Sequence, residues 1–193
     1  DNIMQLNYQN FEIIIIDDRS TDNTANVIKD LELKYKGKVK TLIREKDAFP
    51  GKSAVLNDAL KLAKGEAVLV FDADATVEPD FLNKMVPCLE PADVGAVQAR
   101  KVIRNGPYNL LTRCQYNEYV LDTYLQVGRD AIKGAVELRG NGELIKRKAL
   151  EDIDGWNNYT ITDDLDMSTR LHIKGWDIRY CPSAEVYEEG IIY

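Results

Sequence analysis

Two short apolar runs that end in aspartates constrain the fold more than any other feature of this chain. Residues 11–16 (FEIIII) read as a strand covered on both faces, and the run stops abruptly at Asp17-Asp18. Residues 67–71 (AVLVF) repeat the pattern and stop at Asp72-Ala73-Asp74. Between and after them, β-branched runs alternate with segments of 3.6-residue periodicity, which predicts an α/β layer fold. Val27, Ile28, Leu31 and Tyr35 share one helical face behind N-cap candidates Ser20, Thr21 and Asp22. A second strand is expected at residues 39–43, then a helix carrying Leu56, Ala59, Leu60 and Ala63 that Gly65 closes.

Pro79 is expected at the first position of a helix bearing Phe81, Leu82, Met85 and Val86, followed by a fourth strand at residues 94–99. Residues 107–127 read as a helix whose Leu110, Cys114, Leu121 and Leu125 stripe faces the core, flanked by Tyr116, Tyr119 and Tyr124. Gly140-Asn141-Gly142 predicts a turn before a strand at residues 144–147. Thr162 caps a helix over residues 163–174, and short strands at 178–181 and 184–187 flank Pro182. With no repeat or linker in 193 residues, one domain over 1–193 is expected.

Charge and composition exclude several functions. A net charge of −7 is the wrong sign for a surface that binds nucleic-acid phosphates. Cys88, Cys114 and Cys181 are odd in number and too far apart for a zinc pair, so neither a disulfide framework nor a zinc site is expected. His172 is the sole histidine, which leaves nucleophilic triads little to work with. The sequence has no transmembrane run and no signal peptide at its start, so the segment is expected to be soluble.

What remains is carboxylate chemistry. Seven aspartates, Asp17 and Asp18, Asp72 and Asp74, and Asp163, Asp164 and Asp166, form three clusters, and their number equals the size of the net charge. Ligands of α/β sheets bind beyond the carboxyl ends of strands, where two of the clusters stand. Converging carboxylates repel unless a cation joins them, and Mg²⁺ or Mn²⁺ with a polyphosphate would do so. Each cluster also has a structural reading: Asp17 and Asp18 as a turn and cap, and Asp163 and Asp164 as acids favoured by a helix N-terminus.

The runs FEIIIIDDRSTDNT, GKSAVLNDAL, VLVFDADATVEPDFL and ITDDLDMSTRLHIKGWDIRYCPSAEVYEE together resemble the family 2 glycosyltransferases of the GT-A fold. Within that family they are most similar to the membrane-bound synthases of cellulose, hyaluronan and poly-N-acetylglucosamine. The resemblance implies a Rossmann-like, mixed and mostly parallel sheet flanked by helices, with residues 1–100 as the nucleotide-sugar half and 101–193 as the acceptor and catalytic-base half. It implies that Asp17 and Asp18 hold the nucleotide, with Asp18 on uracil, and that Lys52 approaches the donor. Asp72 is then expected near the ribose, and Asp74 on the Mg²⁺ or Mn²⁺ that bridges the diphosphate. Thr162-Asp163-Asp164 stands for the family's T-E-D motif, which makes Asp164 the catalytic base and places Asp163 beside the acceptor.

Gly140, Asn141, Gly142 and Trp156 are the further acceptor-site candidates; glycine lets backbone approach a sugar and tryptophan stacks on one. The implied partners are a UDP-sugar donor and a saccharide acceptor. The family's first strand and its Q-x-x-R-W motif are missing from the sequence, so it is expected to be part of a larger membrane-embedded enzyme working at the cytoplasmic face. VLVFDADAT also resembles the D-x-D-x-T motif of haloacid-dehalogenase phosphatases, with Asp72 as nucleophile and Asp74 as acid. In that family the nucleophile strand opens the domain, whereas here a strand-helix-strand-helix unit precedes it. A non-catalytic sugar-nucleotide-binding module is the remaining alternative.

Overall fold

The computed structural model describes all of residues 1–193. In chain order its elements are β1 (Ile13–Asp17), α1 (Thr24–Lys34), β2 (Val39–Ile43), α2 (Lys52–Leu60), β3 (Ala67–Val70), β4 (Thr76–Val77) and α3 (Phe81–Leu89). There follow β5 (Val94–Ile103), α4 (Leu110–Ala131), β6 (Glu143–Lys146), α5 (Arg147–Asp152), α6 (Asp163–Ile173) and β7 (Asp177–Glu188). β1 and β2 pair in parallel as a small sheet, and the main sheet has the order β3-β6-β5-β7-β4. β6 runs antiparallel to both neighbours, while the long β5/β7 ladder is parallel. The α/β class with a mixed sheet stands as read from the sequence, and parallel registered pairs outnumber antiparallel ones once the two sheets are taken together.

Side-chain alternation along the central strands builds a core on each face of the main sheet. Leu144 packs with Phe81, Met85, Val97 and Val186 beneath α3, while its neighbour Ile145 packs with Leu150, Met167, Leu171 and Ile178 beneath α5 and α6. Burying each such side chain is worth roughly 1.5–3 kcal/mol, so the sheet is held from both sides and its strand ends are fixed platforms.

Six local expectations change. The N-cap of α1 is Asn23 rather than Ser20, Thr21 or Asp22, and α2 ends at Leu60 with Lys61 as its C-cap, short of Gly65. Pro79 lies two residues before α3, whose N-cap is Asp80. The two C-terminal strands are one, β7, and Pro182 is accommodated where the β5/β7 register shifts between Ala99 and Arg100. β5 continues to Ile103 rather than ending at Ala99. α4 starts at Leu110, behind a reciprocal Asn109/Thr112 capping box, and its apolar stripe faces outward. Leu110 is 77% exposed, Leu121 62% and Leu125 53%, whereas the buried residues of the helix are Thr112 and Gln126. The reason is that α4 is tied down by polar bonds: Gln126 to Glu137, Tyr119 to Glu188, Asp122 to Arg139 and Asp130 to Arg179.

These placements separate two substitutions. Gly142 has φ +70°, and an added Cβ would stand 2.8 Å from Val186 Cγ1 and 3.1 Å from Ala99 Cβ. Gly142→Ala should therefore cost about 2–4 kcal/mol from left-handed backbone strain and overpacking combined. Leu121→Gln should stay within about 0.5 kcal/mol, as expected for an exposed position. Urea denaturation checks both, and a loss above about 2 kcal/mol for Leu121→Gln would return the stripe to the core.

Candidate active site

Between α4 and β6 the chain is irregular, and its backbone bonds account for the local sequence. Glu137 exchanges both of its backbone bonds with the Gln126 amide, and Leu138 N–H donates to Ser168 Oγ (2.8 Å). Arg139 N–H donates to Gln98 Oε1 (2.7 Å), and Gln98 Nε2 donates to the Asn141 carbonyl (2.9 Å). Gly140 N–H donates to Glu143 Oε1 (2.5 Å), and Gly142 N–H donates to the Val70 carbonyl (2.9 Å). Gln98, Gln126, Asn141, Glu143 and Ser168 are all buried. Buried backbone groups without a ladder need such partners.

The turn opens a cavity of about 200 Å³ lined by Lys52, Leu56, Gly140, Glu143, Trp156, Ile161, Asp163 and Asp164. Five sequence candidates thus converge: Lys52, Gly140, Trp156, Asp163 and Asp164. Lys52, in the first turn of α2, donates to Asp72 Oδ1 (2.6 Å) and to the Gly140 carbonyl (2.7 Å), which joins Asp72 to the cavity. Asp164 stands in the first turn of α6, where the helix dipole favours an anion; its Oδ1 accepts the Leu165 N–H (2.9 Å). Its Oδ2 lies 3.8 Å from where a Cβ on Gly140 would be, and so does Lys52 Nζ.

Gly140 has φ +74°, so a residue with a side chain would be strained there and would push into the cavity. Asn141 and Gly142 stand behind it. Asn141 is wholly buried, accepting from the Asp72 N–H (3.2 Å) and donating to Glu188 Oε1 (2.7 Å). These two residues set the shape of the turn and do not line this cavity. Trp156 is 95% buried in the core on the α6 side and shows the cavity only an edge. Asn57 of α2 fixes it by bonding both the Trp156 N–H and carbonyl.

The first acidic pair lies at the end of β1, outside this cavity. Asp17 is buried and caps the turn, accepting from Ser20 N–H (3.0 Å). Burial alone would raise the Asp18 carboxyl, but hydrogen bonds from Arg19 and Arg44 outweigh it and hold it below the ordinary carboxylate range. Arg44, with a side chain only 3% exposed, bridges Asp18 (2.7 Å) and Asp58 (3.0 Å) and donates to the Phe49 carbonyl. Sequence reasoning missed Arg44, Asn57 and Glu143. A lone arginine after a strand carries no signal of its own, whereas Glu143, a carboxyl directly behind a G-N-G turn, could have been flagged.

Nowhere do three or more His, Cys, Asp or Glu side chains converge as ligands. Asp72 is engaged by Lys52, while Asp74 is exposed with neither an ion pair nor a hydrogen-bond partner. One free carboxylate fits Mg²⁺ or Mn²⁺, which keep several waters and take substrate phosphates as their remaining ligands.

Among known proteins, the family model "Glycosyltransferase like family 2" matches residues 1–190. Beta-monoglucosyldiacylglycerol synthase from Nostoc sp. is 46% identical over 98% of this chain and 41% of its own length. Poly-beta-1,6-N-acetyl-D-glucosamine synthase from Staphylococcus epidermidis is 32% identical over 94% of this chain and 43% of its own. The chain thus spans about two fifths of the length of these relatives. The mannosyltransferase PcManGT from Pyrobaculum calidifontis, solved with GDP-Man and Mn²⁺, superposes with a TM-score of 0.76 at 25% identity, covering 97% of this chain and 50% of that one. Staphylococcus aureus TarS, solved with UDP-GlcNAc, shares the fold with a TM-score of 0.67 at 17% identity, covering 100% of this chain and 54% of that one. The likeness of VLVFDADAT to a phosphatase motif finds no support among these relatives. With its aspartate clusters, its mixed sheet and a family match over nearly its whole length, the chain belongs to the family 2 glycosyltransferases.

Proposed function

We propose that this chain carries the transfer step of an inverting enzyme that moves a sugar from a UDP-sugar to an acceptor hydroxyl. The observation that carries this reading is the single cavity in which Asp163, Asp164 and Lys52 meet, with Asp72 joined to it through Lys52. Asp164 takes the proton of the attacking hydroxyl as general base. Attack from the face opposite the leaving group inverts the anomeric carbon, so no enzyme nucleophile is needed. Residues 1–100 serve the donor: Asp17 and Asp18 shape the nucleotide end, Asp72 stands by the ribose, and the Lys52 ammonium offers positive charge to the diphosphate. Asp74 would hold Mg²⁺ or Mn²⁺, which would supply Lewis-acid stabilisation to the departing diphosphate.

Residues 101–193 serve the acceptor, with Gly140, Asp163 and the edge of Trp156 facing it. The sequence reading favoured a saccharide. The relative at 46% identity is named for a glucosyldiacylglycerol product and the one at 32% for a polysaccharide, and the higher identity favours a diacylglycerol hydroxyl. A lipid acceptor also suits a parent protein working at the cytoplasmic face of a membrane. The binding-module alternative leaves the placement of Asp164 without a purpose.

In the parent enzyme, Asp164→Asn should lower transfer by about 10²–10⁴-fold while leaving donor affinity nearly intact, because it removes basicity and keeps size. Initial rates with UDP-glucose and diacylglycerol, set against an oligosaccharide acceptor, measure both the loss and the acceptor class. A rate within about threefold of wild type, well below that range, would reassign the base to Asp163 or Asp166. Asp74→Asn should weaken donor binding and turnover together, and calorimetry with UDP-sugar should show binding that depends on Mn²⁺. Equal binding in EDTA would remove the metal from the reading.

A further inference from the structure

A second cavity, of about 420 Å³ against about 200 Å³ for the catalytic one, lies between α4 and the β5/β7 ladder. Its walls include Lys101 of β5, Tyr180 of β7, Arg139, and Tyr119, Leu121 and Leu125 of α4. The polar seating of α4 accounts for it. The helix meets its neighbours through long side chains, Tyr119 to Glu188, Asp122 to Arg139 and Thr123 to Tyr180. Interlocked apolar side chains would leave few voids larger than a water, whereas polar pairs that meet at their tips leave room between them. The volume falls within the roughly 300–1,000 Å³ of sites that take small molecules.

Three features narrow the occupant. The first is charge: Lys101 Nζ stands 3.1 Å from Glu188 Oε1 and 4.9 Å from the centre of the Tyr119 ring, and Arg139 is held by Asp122 and Glu137. Both cations are therefore already met by carboxylates, and the exposed Glu118 in the wall adds a further anion. A phosphate headgroup would enter against that balance, and a neutral polar group would not. The second is the rim, where the exposed Leu121 and Leu125 stand one turn apart and run into the outward stripe of Leu110 and Ile132. An acyl chain gains by covering such leucines, and a saccharide does not. The third is position: Arg139 lines this cavity and the next residue, Gly140, lines the catalytic one, so a single turn contributes to both.

We propose that the second cavity seats the acceptor as a neutral amphiphile of the diacylglycerol class. The seat rests on the diacylglycerol reading of the acceptor, and adds where that lipid is held and why its phosphorylated counterpart is refused. Its acyl chains leave past Leu121 and Leu125, its glycerol lies against Arg139 and Tyr119, and its free hydroxyl turns past Gly140 towards Asp164.

Kinetics of the parent enzyme with UDP-glucose and 1,2-dihexanoylglycerol, below the lipid's aggregation threshold, test the seat. Leu121→Gln combined with Leu125→Gln should raise KM for the lipid about tenfold, near what burying one leucine is worth. kcat and KM for UDP-glucose should stay unchanged. Ile132→Gln, on the same stripe but outside the cavity, should alter none of the three. An unchanged lipid KM in the double variant overturns the seat and leaves the proposed function standing. An equal rise from Ile132→Gln also overturns it, because the whole face of α4 then adheres to lipid. A wild-type enzyme that glycosylates an oligosaccharide and refuses the lipid removes the acceptor reading, and the seat with it.

Two further readouts need no turnover. A diacylglycerol with a diazirine early in one acyl chain, photolysed on the parent enzyme, should label the stretch from Tyr119 to Leu125. Label found only elsewhere overturns the seat. Dihexanoyl phosphatidate should compete with that labelling more weakly than dihexanoylglycerol does, and competition as strong or stronger overturns the neutral headgroup.

Discussion

The site depends on the backbone between Glu137 and Asn141, which leads from α4 towards β6 without a strand to pair with. A buried N–H or carbonyl left without a partner costs about 1–3 kcal/mol, so an irregular buried segment survives only if side chains take the place of a ladder. Gln126, Ser168, Gln98 and Glu143 do so in turn, each from a different element: α4, α6, β5 and β6. Lys52 of α2 adds the bond to the Gly140 carbonyl. The segment is therefore fixed by nearly every element around it, and the cavity inherits that fixity.

The same bonds explain the reversed burial of α4. A helix that has to present Gln126 to Glu137, Asp122 to Arg139 and Tyr119 to Glu188 turns its polar face inward, and its leucines are left outside. Hydrophobic periodicity reports that a helix has two unlike faces. Which face is buried depends on what the neighbouring segment demands, and here the demand is for hydrogen bonds.

What was legible in the sequence was whatever local chemistry settles by itself. The strands ending at Asp17 and after Val70, the α6 start at Asp163 behind Thr162, and the G-N-G turn all follow from strand composition, caps and glycine. Asp164, Lys52 and Gly140 were legible through a family pattern, and the fold brings them together. Illegible were the contacts that only tertiary structure creates. Arg44 is read as any strand-end arginine until the chain folds Asp18 and Asp58 around it. Pro182 looks like the end of a strand until the register shift in β5/β7 gives it a place without a ladder bond. The burial of Trp156 is likewise invisible until Asn57 and the core on the α6 side hold it.

The three aspartate clusters were equal as sequence but differ once folded. Asp17 is spent on a turn, Asp18 on two arginines, Asp72 on Lys52 and Asp166 on Arg170. Asp74 and Asp163 are left without an ionic partner, and Asp164 has only the Leu165 N–H. Three of the seven are thus left without an ionic partner at the cavity and at the turn after β3. Charge held uncompensated by protein is charge available to others, in this arrangement a divalent ion beside a diphosphate and the proton of an attacking hydroxyl.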